Sequence, residues 1–349
     1  MNVGIIGATG YTGLELLRLL AQHPAAPRVT VITSRQERDR PLTAVFPALS
    51  GLANYDQLKF EAPQTAELAG RADFFFLAAP HGAAMDLAPP ILAAGGRIVD
   101  LSADFRLRDA EVFNQWYLPH SAPGLLSEAV YGLPELYAPQ IRPARLVANP
   151  GCYPTSIILA LAPFLKNGFL DASQPIIADA CSGVSGAGRG ALAGNSFCEV
   201  QDSFKAYKVV GHRHSPEIEQ ELSALQGRDL RVAFTPHLLP MNRGILATIY
   251  AAPQNDVNLE GLREVYLDFY RHSPFVRVRP SGFEPQTSEV RGTNFCDLSL
   301  FFDRRSGLVK IISAIDNLCR GASGQAVANF NLMCGRPESD GLMLAALRP

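Results

Sequence analysis

The chain has 349 residues, of which 47% are hydrophobic and 18% charged, and its formal net charge is −2. This length and composition indicate a folded protein with two domains and exclude a disordered chain. The small net charge provides no electrostatic basis for binding nucleic acid or an anionic membrane. No apolar run approaches the roughly 20 residues of a membrane helix, and the N-terminus lacks a secretory signal pattern, so we expect a cytoplasmic protein.

The first half of the chain alternates between strand and helix patterns. Helices are predicted over 14–20 and in an Ala- and Leu-rich segment that precedes residue 97. Short apolar strands are predicted over 3–6, 28–33, 73–78, 97–101 and 145–148. Apolar strands separated by helices indicate a parallel sheet covered on both faces, so we expect an α/β, Rossmann-type domain over 1–150.

The second half has longer, half-exposed strands with few helices between them. After a helix over 157–165, strands are predicted over 176–180, 231–236, 245–251, 295–302 and 308–315, and a last helix over 324–333. This pattern predicts a second, α+β domain over 151–315 with a mixed or antiparallel sheet.

A glycine motif follows the first predicted strand and precedes a helix. Gly7 and Gly10 permit a tight turn close to a pyrophosphate, and Gly13 lets the helix pack closely on its strand. A purely structural glycine-rich turn is the alternative. The remaining residues predicted to bind the cofactor here are Thr9, Tyr11 and Thr12 within the motif, and Pro80 after the third strand.

The end of the second predicted strand favours NADP over NAD. Enzymes that use NAD usually place an acidic residue there for the ribose hydroxyls, whereas this chain has Ser34 and Arg35, with Arg38 close behind. A hydroxyl and a guanidinium suit a ribose phosphate. The alternative is that both arginines lie on a solvated loop.

One cysteine stands in a distinctive local sequence, Asn149-Pro150-Gly151-Cys152-Tyr153-Pro154-Thr155. The pattern places Cys152 at a helix start, where outward N–H groups favour an anion and therefore the reactive thiolate. The six cysteines lack the close spacing of a zinc site or redox dithiol. We therefore predict Cys152 as a nucleophile and the other cysteines as inert.

A thiolate also needs a partner that handles protons, and the segment over 211–217 is the best candidate. His212 and His214 flank Arg213 just before a predicted helix start. Either histidine suits the role of acid and base, and His214, the closer to the helix, is the first choice. Arg213 suits a carboxylate or phosphate. No third ligand for a metal is apparent, so no metal site is predicted.

Two further segments carry candidate ligand-binding residues. The glycine-rich loop over 182–189 offers Ser182, Ser185 and Gly186, although a mobile surface loop is an equal alternative. Arg106 follows the strand over 97–101, at the carboxyl end where parallel sheets bind ligands. We predict Arg106, Arg213 and Ser182 as substrate-binding residues, and Ser185 and Gly186 as cofactor-binding residues.

At these motifs the chain resembles the N-acetyl-γ-glutamyl-phosphate reductases, which are related to aspartate-semialdehyde dehydrogenase. The resemblance runs almost end to end and is most specific in the cysteine and His-Arg-His segments. Its other matching segments are 7–13, 131–135, 182–189, 195–200, 234–238, 316–318 and 321–326.

The resemblance implies an arginine-biosynthesis enzyme that reduces an acyl phosphate with NADPH through a thioester on Cys152. It also implies that Cys152 lies at the domain junction, that the C-terminal segment 316–349 completes the first domain, that Asn317 lies near the nicotinamide, and that subunits form homodimers or homotetramers. Two alternatives stay open. One is reduction of a related acyl phosphate, aspartyl phosphate or an aminoadipate derivative, and the other is a non-catalytic, nucleotide-sensing regulator.

Overall fold

A computed structural model of the chain describes residues 1–62, 68–190 and 193–348. The chain divides into two compact units. The first comprises Met1–Pro150 and Ala322–Met343, and the second comprises Gly151–Gly321 and the segment that begins at Leu344. In the part of the chain that the structure describes, each unit is built around one sheet.

The first unit contains a six-stranded sheet in the order β2-β1-β3-β4-β6-β5, and its strand pairs are all parallel. Its strands are β1 (Asn2–Ile6), β2 (Arg28–Ile32), β3 (Phe74–Leu77), β4 (Arg97–Asp100), β5 (Val130–Tyr131) and β6 (Leu146–Ala148). All four residues of β3 are fully buried, which explains its uninterrupted apolar sequence. The predicted parallel sheet is confirmed.

The second unit contains a seven-stranded sheet in the order β11-β12-β13-β10-β7-β9-β8. The β7–β9 and β11–β12 pairs are parallel and the other pairs are antiparallel, so the predicted mixed sheet is confirmed. Its strands are β7 (Ile176–Gly183), β8 (Lys205–Ala206), β9 (Val232–Leu239), β10 (Ile245–Ala251), β11 (Val276–Val278), β12 (Cys296–Asp303) and β13 (Leu308–Ile315).

The helices cover the sheets of their own units, and α6 packs on β10 and β13. They are α1 (Tyr11–Ala21), α2 (Leu42–Val45), α3 (Ala84–Ala93), α4 (Ala110–Trp116), α5 (Pro134–Ile141), α6 (Cys152–Lys166), α7 (Phe197–Val200), α8 (Ser215–Gln226), α9 (Leu259–Phe269) and α10 (Gly324–Met333). A π-helical turn, Cys319–Ser323, precedes α10. Among the helices that the structure describes, none has the length and apolar character needed to span a membrane.

The order of the first sheet reverses at β1, because β2 lies on one side of it and β3 on the other. Ligands of open parallel sheets bind outside the strand ends at such a reversal. Gly7 follows β1 with a φ of +84°, and a Cβ on it would lie 2.5 Å from the carbonyl oxygen of Ala78, just after β3. The glycine therefore permits close approach of the two loops at this edge.

The structure differs from the predicted boundaries in two places. Residues 316–321 lie in the second unit rather than the first, because the Asp316 carboxylate accepts hydrogen bonds from Arg243 and from the Gly292 N–H. The segment from Leu344 also returns to the second unit, where the N–H of Leu347 donates to the carbonyl of Arg291. Ser182 ends up inside β7 instead of in a loop.

Candidate active site

Cys152 is the first residue of α6 and is half-buried. Gly151 precedes it in an extended conformation (φ −67°, ψ 155°) and, as a glycine, has no side chain of its own to cap the helix. The N–H groups of a helix start and the helix dipole favour negative charge at this position. The local structure that the sequence predicted around Cys152 is therefore present.

A buried carboxylate lies at the same helix start. Glu217 in α8 is 1% exposed, and its Oε1 accepts the N–H of Gly151 at 2.8 Å. The sequence indicated Glu217 only as part of a Ser-Pro-Glu helix start, where a glutamate normally caps its own helix. The side chain instead fixes the residue that precedes Cys152. No sequence signal reports this contact, because it joins two separate helices.

His212 and His214 belong to one aromatic cluster with Tyr153, the residue after Cys152. The two imidazole centroids lie 4.9 Å apart, and the Tyr153 ring lies 5.7 Å from His212 and 6.0 Å from His214. Phe234 and Tyr207 pack on His212 at 5.2 and 5.6 Å. The structure thus brings both predicted histidines to the neighbour of Cys152, within the second unit.

The ring of His212 is buried and accepts a hydrogen bond from the main chain. Burial and, to a lesser extent, the nearby charges of Lys208 and Arg213 lower the pKa of His212 to about 4. Nδ1 of His212 accepts the N–H of His214 at 3.1 Å. At neutral pH the His212 ring is therefore uncharged, with its proton on Nε2, which makes it a hydrogen-bond donor rather than a base.

Two tyrosine hydroxyls complete the cluster. The hydroxyl of Tyr207 donates to that of Tyr153 at 3.2 Å, and Tyr153 donates to the carbonyl of His237 at 3.3 Å. Burial raises the pKa of Tyr207 to about 12 and that of Tyr153 well above its usual range. Both hydroxyls are therefore neutral. Sequence reasoning missed this pair, since an isolated tyrosine carries no positional signal.

Four of the predicted ligand-binding residues lie together in the second unit. The amide nitrogen of Asn317 donates to Ser185 Oγ at 2.9 Å, and its Oδ1 accepts the N–H of Gly244 at 2.7 Å. A Cβ on Gly186 would lie 3.1 Å from Ser182 Oγ and 3.7 Å from the Asn317 amide nitrogen. Ser182 is 2% exposed, and its hydroxyl donates to the Gly183 carbonyl. Ligand binding by these residues stays a prediction.

The first unit contains the glycine motif at the start of α1. Gly10 precedes the helix in an extended conformation (φ −70°, ψ 165°) and has no side chain of its own to cap it. A Cβ on Gly13 would lie 2.5 Å from Ala8 Cα, so this glycine permits close packing of helix on strand, as its position predicts. A Cβ on Gly10 would lie 3.6 Å from its nearest atom, the carbonyl oxygen of Gly7, so the protein itself does not exclude a methyl group here.

The end of β2 lies beside this motif. Ser34 Oγ lies 3.2 Å from Thr9 Oγ1 and accepts the N–H groups of Gln36 and Glu37. Arg35 is exposed, as are Tyr11 and Pro80, and Thr12 is half-buried. The residues present fit a dinucleotide phosphate: a helix start, a loosely packed glycine and a hydroxyl pair next to an exposed guanidinium.

The two candidate arginines have different environments. Arg106 is 6% exposed, and its guanidinium donates to the carbonyls of Asn149 at 2.8 Å and Leu101 at 3.0 Å. These bonds connect the segment before Cys152 to the end of β4, so Arg106 supports the main chain there. Arg213 is half-buried and lies in the second unit. Substrate binding by either arginine stays a prediction.

Both units match family models of one class of enzyme. Residues 2–144 match the semialdehyde dehydrogenase NAD binding domain, and residues 152–317 match the semialdehyde dehydrogenase dimerisation domain. The structure of aspartate semialdehyde dehydrogenase II from Vibrio cholerae, complexed with ASA, has a TM-score of 0.71, covers 96% of this chain and 98% of its own, and is 16% identical. The fold is therefore that of the semialdehyde dehydrogenases, and the first unit carries their nicotinamide dinucleotide-binding domain.

Curated relatives define the family more narrowly. N-acetyl-γ-glutamyl-phosphate reductase from Geotalea daltonii is 55% identical over 350 residues, and both chains are covered completely. The protein of that name from Pelobacter propionicus is 53% identical over the same span, again with complete coverage. This chain belongs to the N-acetyl-γ-glutamyl-phosphate reductase family, and the predicted family is confirmed.

Proposed function

We propose that this chain reduces N-acetyl-γ-glutamyl phosphate to N-acetyl-L-glutamate 5-semialdehyde and phosphate with NADPH, as a step of arginine biosynthesis. One observation carries the proposal: a half-buried cysteine begins a helix, and the next residue, Tyr153, packs against two histidines, in a chain that matches reductases of this name over its whole length. A cysteine in this position suits covalent catalysis on an acyl group.

The first step forms a thioester on Cys152. The thiol transfers its proton to His214, and the thiolate attacks the carbonyl carbon of the acyl phosphate. The bond from this carbon to the phosphate oxygen then breaks, and phosphate leaves with the proton that His214 returns. His214 suits this role because its ring lies 6.0 Å from that of Tyr153, the neighbour of Cys152, and its main-chain N–H donates to Nδ1 of His212, which holds the two residues together.

The second step reduces the thioester and releases the aldehyde. The reduced nicotinamide, when bound, supplies the hydride that the thioester carbonyl accepts. N–H groups at the start of α6 and the neutral Nε2–H of His212 are suitable donors for the oxyanion that develops. When the carbonyl re-forms, the carbon–sulfur bond breaks and Cys152 leaves as the thiolate, which the helix start stabilises.

The residues after β2 support NADP as the nicotinamide cofactor. The buried hydroxyl of Ser34 and the exposed guanidinium of Arg35 follow this strand, where an enzyme that uses NAD usually carries an acidic side chain. A guanidinium offers a planar set of donors to phosphate oxygens. Residues 1–150 would then bind NADP, with Gly7, Gly10 and the start of α1 against the pyrophosphate.

The experiment is the reverse reaction of the purified chain. N-acetylglutamate semialdehyde, phosphate and NADP should yield NADPH, which is followed by its absorbance, and Cys152→Ser should yield none. Aspartate semialdehyde and the corresponding aminoadipate semialdehyde are the competing substrates. A higher kcat/KM with either one would assign this chain to a related acyl phosphate, and no turnover with all three would favour a nucleotide-sensing regulator.

We propose a cytoplasmic location, and a partly exposed sheet face supports a homodimer or homotetramer as the working form. Along β10, residues that are fully buried alternate with residues that retain partial exposure, among them Leu246 and Tyr250. Tyr250 pairs with the exposed Ile177 of β7, and the half-buried Ile312 lies in β13 next to β10. Thr248 and Lys310 lie among these apolar residues. A partly exposed sheet face of this mixed composition suits a second copy of the chain.

Sedimentation velocity tests the oligomer. Ile312→Arg should shift the sedimenting species to the mass of one chain, because it places a charge on that face. Val278→Arg is the control on the edge strand β11, where the same charge should leave the mass unchanged. A wild-type chain that sediments as a monomer at micromolar concentration would contradict the proposal.

A further inference from the structure

The segment that follows β13 is fixed by a buried ion pair. Asp316 is fully buried, and the guanidinium of Arg243 donates to both of its carboxylate oxygens, at 2.9 Å each. The N–H of Gly292 donates to Oδ2 at 2.7 Å. A buried carboxylate with this many charge-assisted bonds has little freedom to move.

The same carboxylate organises its own segment of chain. Asp316 Oδ1 accepts the N–H groups of Leu318 at 2.8 Å and Cys319 at 2.9 Å, and the Asp316 carbonyl accepts the N–H of Gly321 at 2.9 Å. The backbone position of Gly321 is therefore tied to the ion pair through one continuous network. Gly321 lies in the π-helical turn, a form of helix that is rare and frequent at functional sites.

Gly321 lies directly against the predicted nucleophile. A Cβ built on Gly321 would lie 2.7 Å from Cys152 Cβ and 3.1 Å from Cys152 Cα. The φ of Gly321 is outside the left-handed region, so its backbone conformation is open to any residue. Glycine is needed here for space, because the atoms it meets belong to the main chain and first carbon of Cys152 and do not rotate away.

Cys152 is also held on its other side. The N–H of Gly151 donates to the buried carboxylate of Glu217, and the carbonyl of Gly151 accepts the hydroxyl of Thr155 at 2.9 Å. The Cβ of Cys152 therefore lies between a fixed helix start and the backbone of Gly321. Since both are fixed, the direction in which the sulfur can point is restricted.

We propose that Gly321 is a positioning residue for the sulfur of Cys152, and that the Arg243–Asp316 ion pair fixes Gly321 in place. The proposal rests on Cys152 as the nucleophile of the proposed function. Gly321 does not touch the reacting atoms; it acts through the Cβ of Cys152. Misplacement of a nucleophile by about 1 Å costs about 100-fold in rate.

The test measures the reactivity of the thiol as well as turnover. Iodoacetamide alkylation at Cys152, quantified by mass spectrometry of the peptide that contains it, reports the sulfur without substrate or cofactor. Gly321→Ala should lower both the alkylation rate and kcat by about 100-fold, while the KM for the nicotinamide cofactor changes by less than about twofold. Gly124→Ala is the control, because no described atom lies within 4 Å of the added methyl group.

A second pair of variants tests the anchor and remains informative if Gly321→Ala does not fold. Arg243→Met removes the cation but leaves Asp316 with its backbone donors, so the chain should fold, and alkylation and kcat should fall together by about tenfold. Arg243→Lys keeps a cation beside Asp316 and should lose less of both rates. Equal losses in Met and Lys variants would overturn the role of the ion pair.

Three outcomes distinguish a failure of this inference from a failure of the proposed function. A folded Gly321→Ala with wild-type alkylation and kcat overturns the inference alone, provided that Cys152→Ser is inactive. Loss of turnover in Gly321→Ala without any change in alkylation overturns it as well. An active Cys152→Ser overturns the proposed function, whatever the Gly321 variant does.

Discussion

The start of α1 in the first unit and the start of α6 in the second have the same backbone conformation. Each helix follows a parallel strand, and each is preceded by a glycine in an extended conformation, Gly10 (φ −70°, ψ 165°) and Gly151 (φ −67°, ψ 155°). In both, the glycine has no side chain of its own to cap the helix. The N–H groups and the dipole of a helix start favour an anion at both positions.

The two starts differ in what surrounds the glycine. The nearest atom to a Cβ on Gly10 would be 3.6 Å away, and the first helical residue, Tyr11, is 37% exposed. At the other start a buried glutamate holds Gly151 and the backbone of Gly321 contacts Cys152. Loose packing suits the reversible binding of a phosphate, whereas close packing suits a nucleophile that must stay in one position. The backbone conformation gives both helix starts a preference for an anion, and the packing around each start determines which role it suits.

The largest expected effect is that of Cys152→Ser. A hydroxyl at this helix start is a much poorer nucleophile than a thiolate, so kcat should fall by about 10⁴-fold or more. Binding of NADPH, followed by its fluorescence, should be unchanged, since the proposed dinucleotide contacts lie at α1. Turnover that stays within about tenfold of wild type would refute covalent catalysis.

A second prediction distinguishes a glycine needed for phosphate binding from a glycine needed for helix packing at the start of α1. Gly10→Ala should weaken NADPH binding by about tenfold or more, because the methyl group enters the space proposed for a phosphate, while unfolding free energy changes by less than about 1 kcal/mol. Gly13→Ala is the matched control: its methyl group would lie 2.5–2.7 Å from backbone atoms of Ala8, so stability should fall by about 1–3 kcal/mol. The same loss of affinity in both variants would contradict a phosphate at Gly10.

The third prediction asks whether the cofactor is selected at the end of β2 rather than at the helix start. Arg35→Asp should raise the Kd for NADP by about tenfold and leave that for NAD nearly unchanged. Arg38→Asp is the matched control, since Arg38 is exposed and already lies 3.4 Å from Asp39. Equal weakening of both cofactors would exclude Arg35 as the ribose-phosphate contact.

The smallest effect concerns pH and the packing near α6. The folded-state pKa of His212 is about 4, below its ordinary value of 6.5. Between these two pH values the unfolded chain therefore binds a proton on this ring that the folded chain does not. The contribution of His212 to stability is therefore complete above about pH 6.5 and is lost as the pH falls towards 4. Urea unfolding midpoints of wild type and His212→Asn should converge over this range. A constant difference between them would show that the ring is not held neutral.

Much of the architecture was predictable because it follows from local patterns. The apolar run of β3 indicates a strand that is buried on both faces, and the alternation along β10 indicates a half-exposed strand. The strands β5, β8 and β11 were missed, since two or three residues are too few to show a period. The boundary near residue 316 was wrong because it depends on the bonds of one buried aspartate.

Some candidate residues were predictable from local sequence patterns, and others were not. The sequence indicated four of the candidates, Cys152, Gly7, Gly10 and Gly13. Each lies next to a predicted strand or helix end, so a short stretch of sequence is enough to predict its local structure. Glu217, Tyr207 and Gly321 were not indicated, because their contacts join segments that lie far apart along the chain. Their roles follow from packing alone.

Hydrophobic periodicity, glycine spacing and one distinctive cysteine motif, read in order along the chain, were enough for two sheets, two helix starts and a family. Folding added the environment of each group: a histidine kept neutral by burial, a carboxylate that fixes the helix start and a glycine backbone against Cys152. Local preferences act over a few neighbouring residues and leave a pattern in the sequence. Burial and close contact depend on residues brought together from distant parts of the chain, and these leave no pattern until the chain has folded.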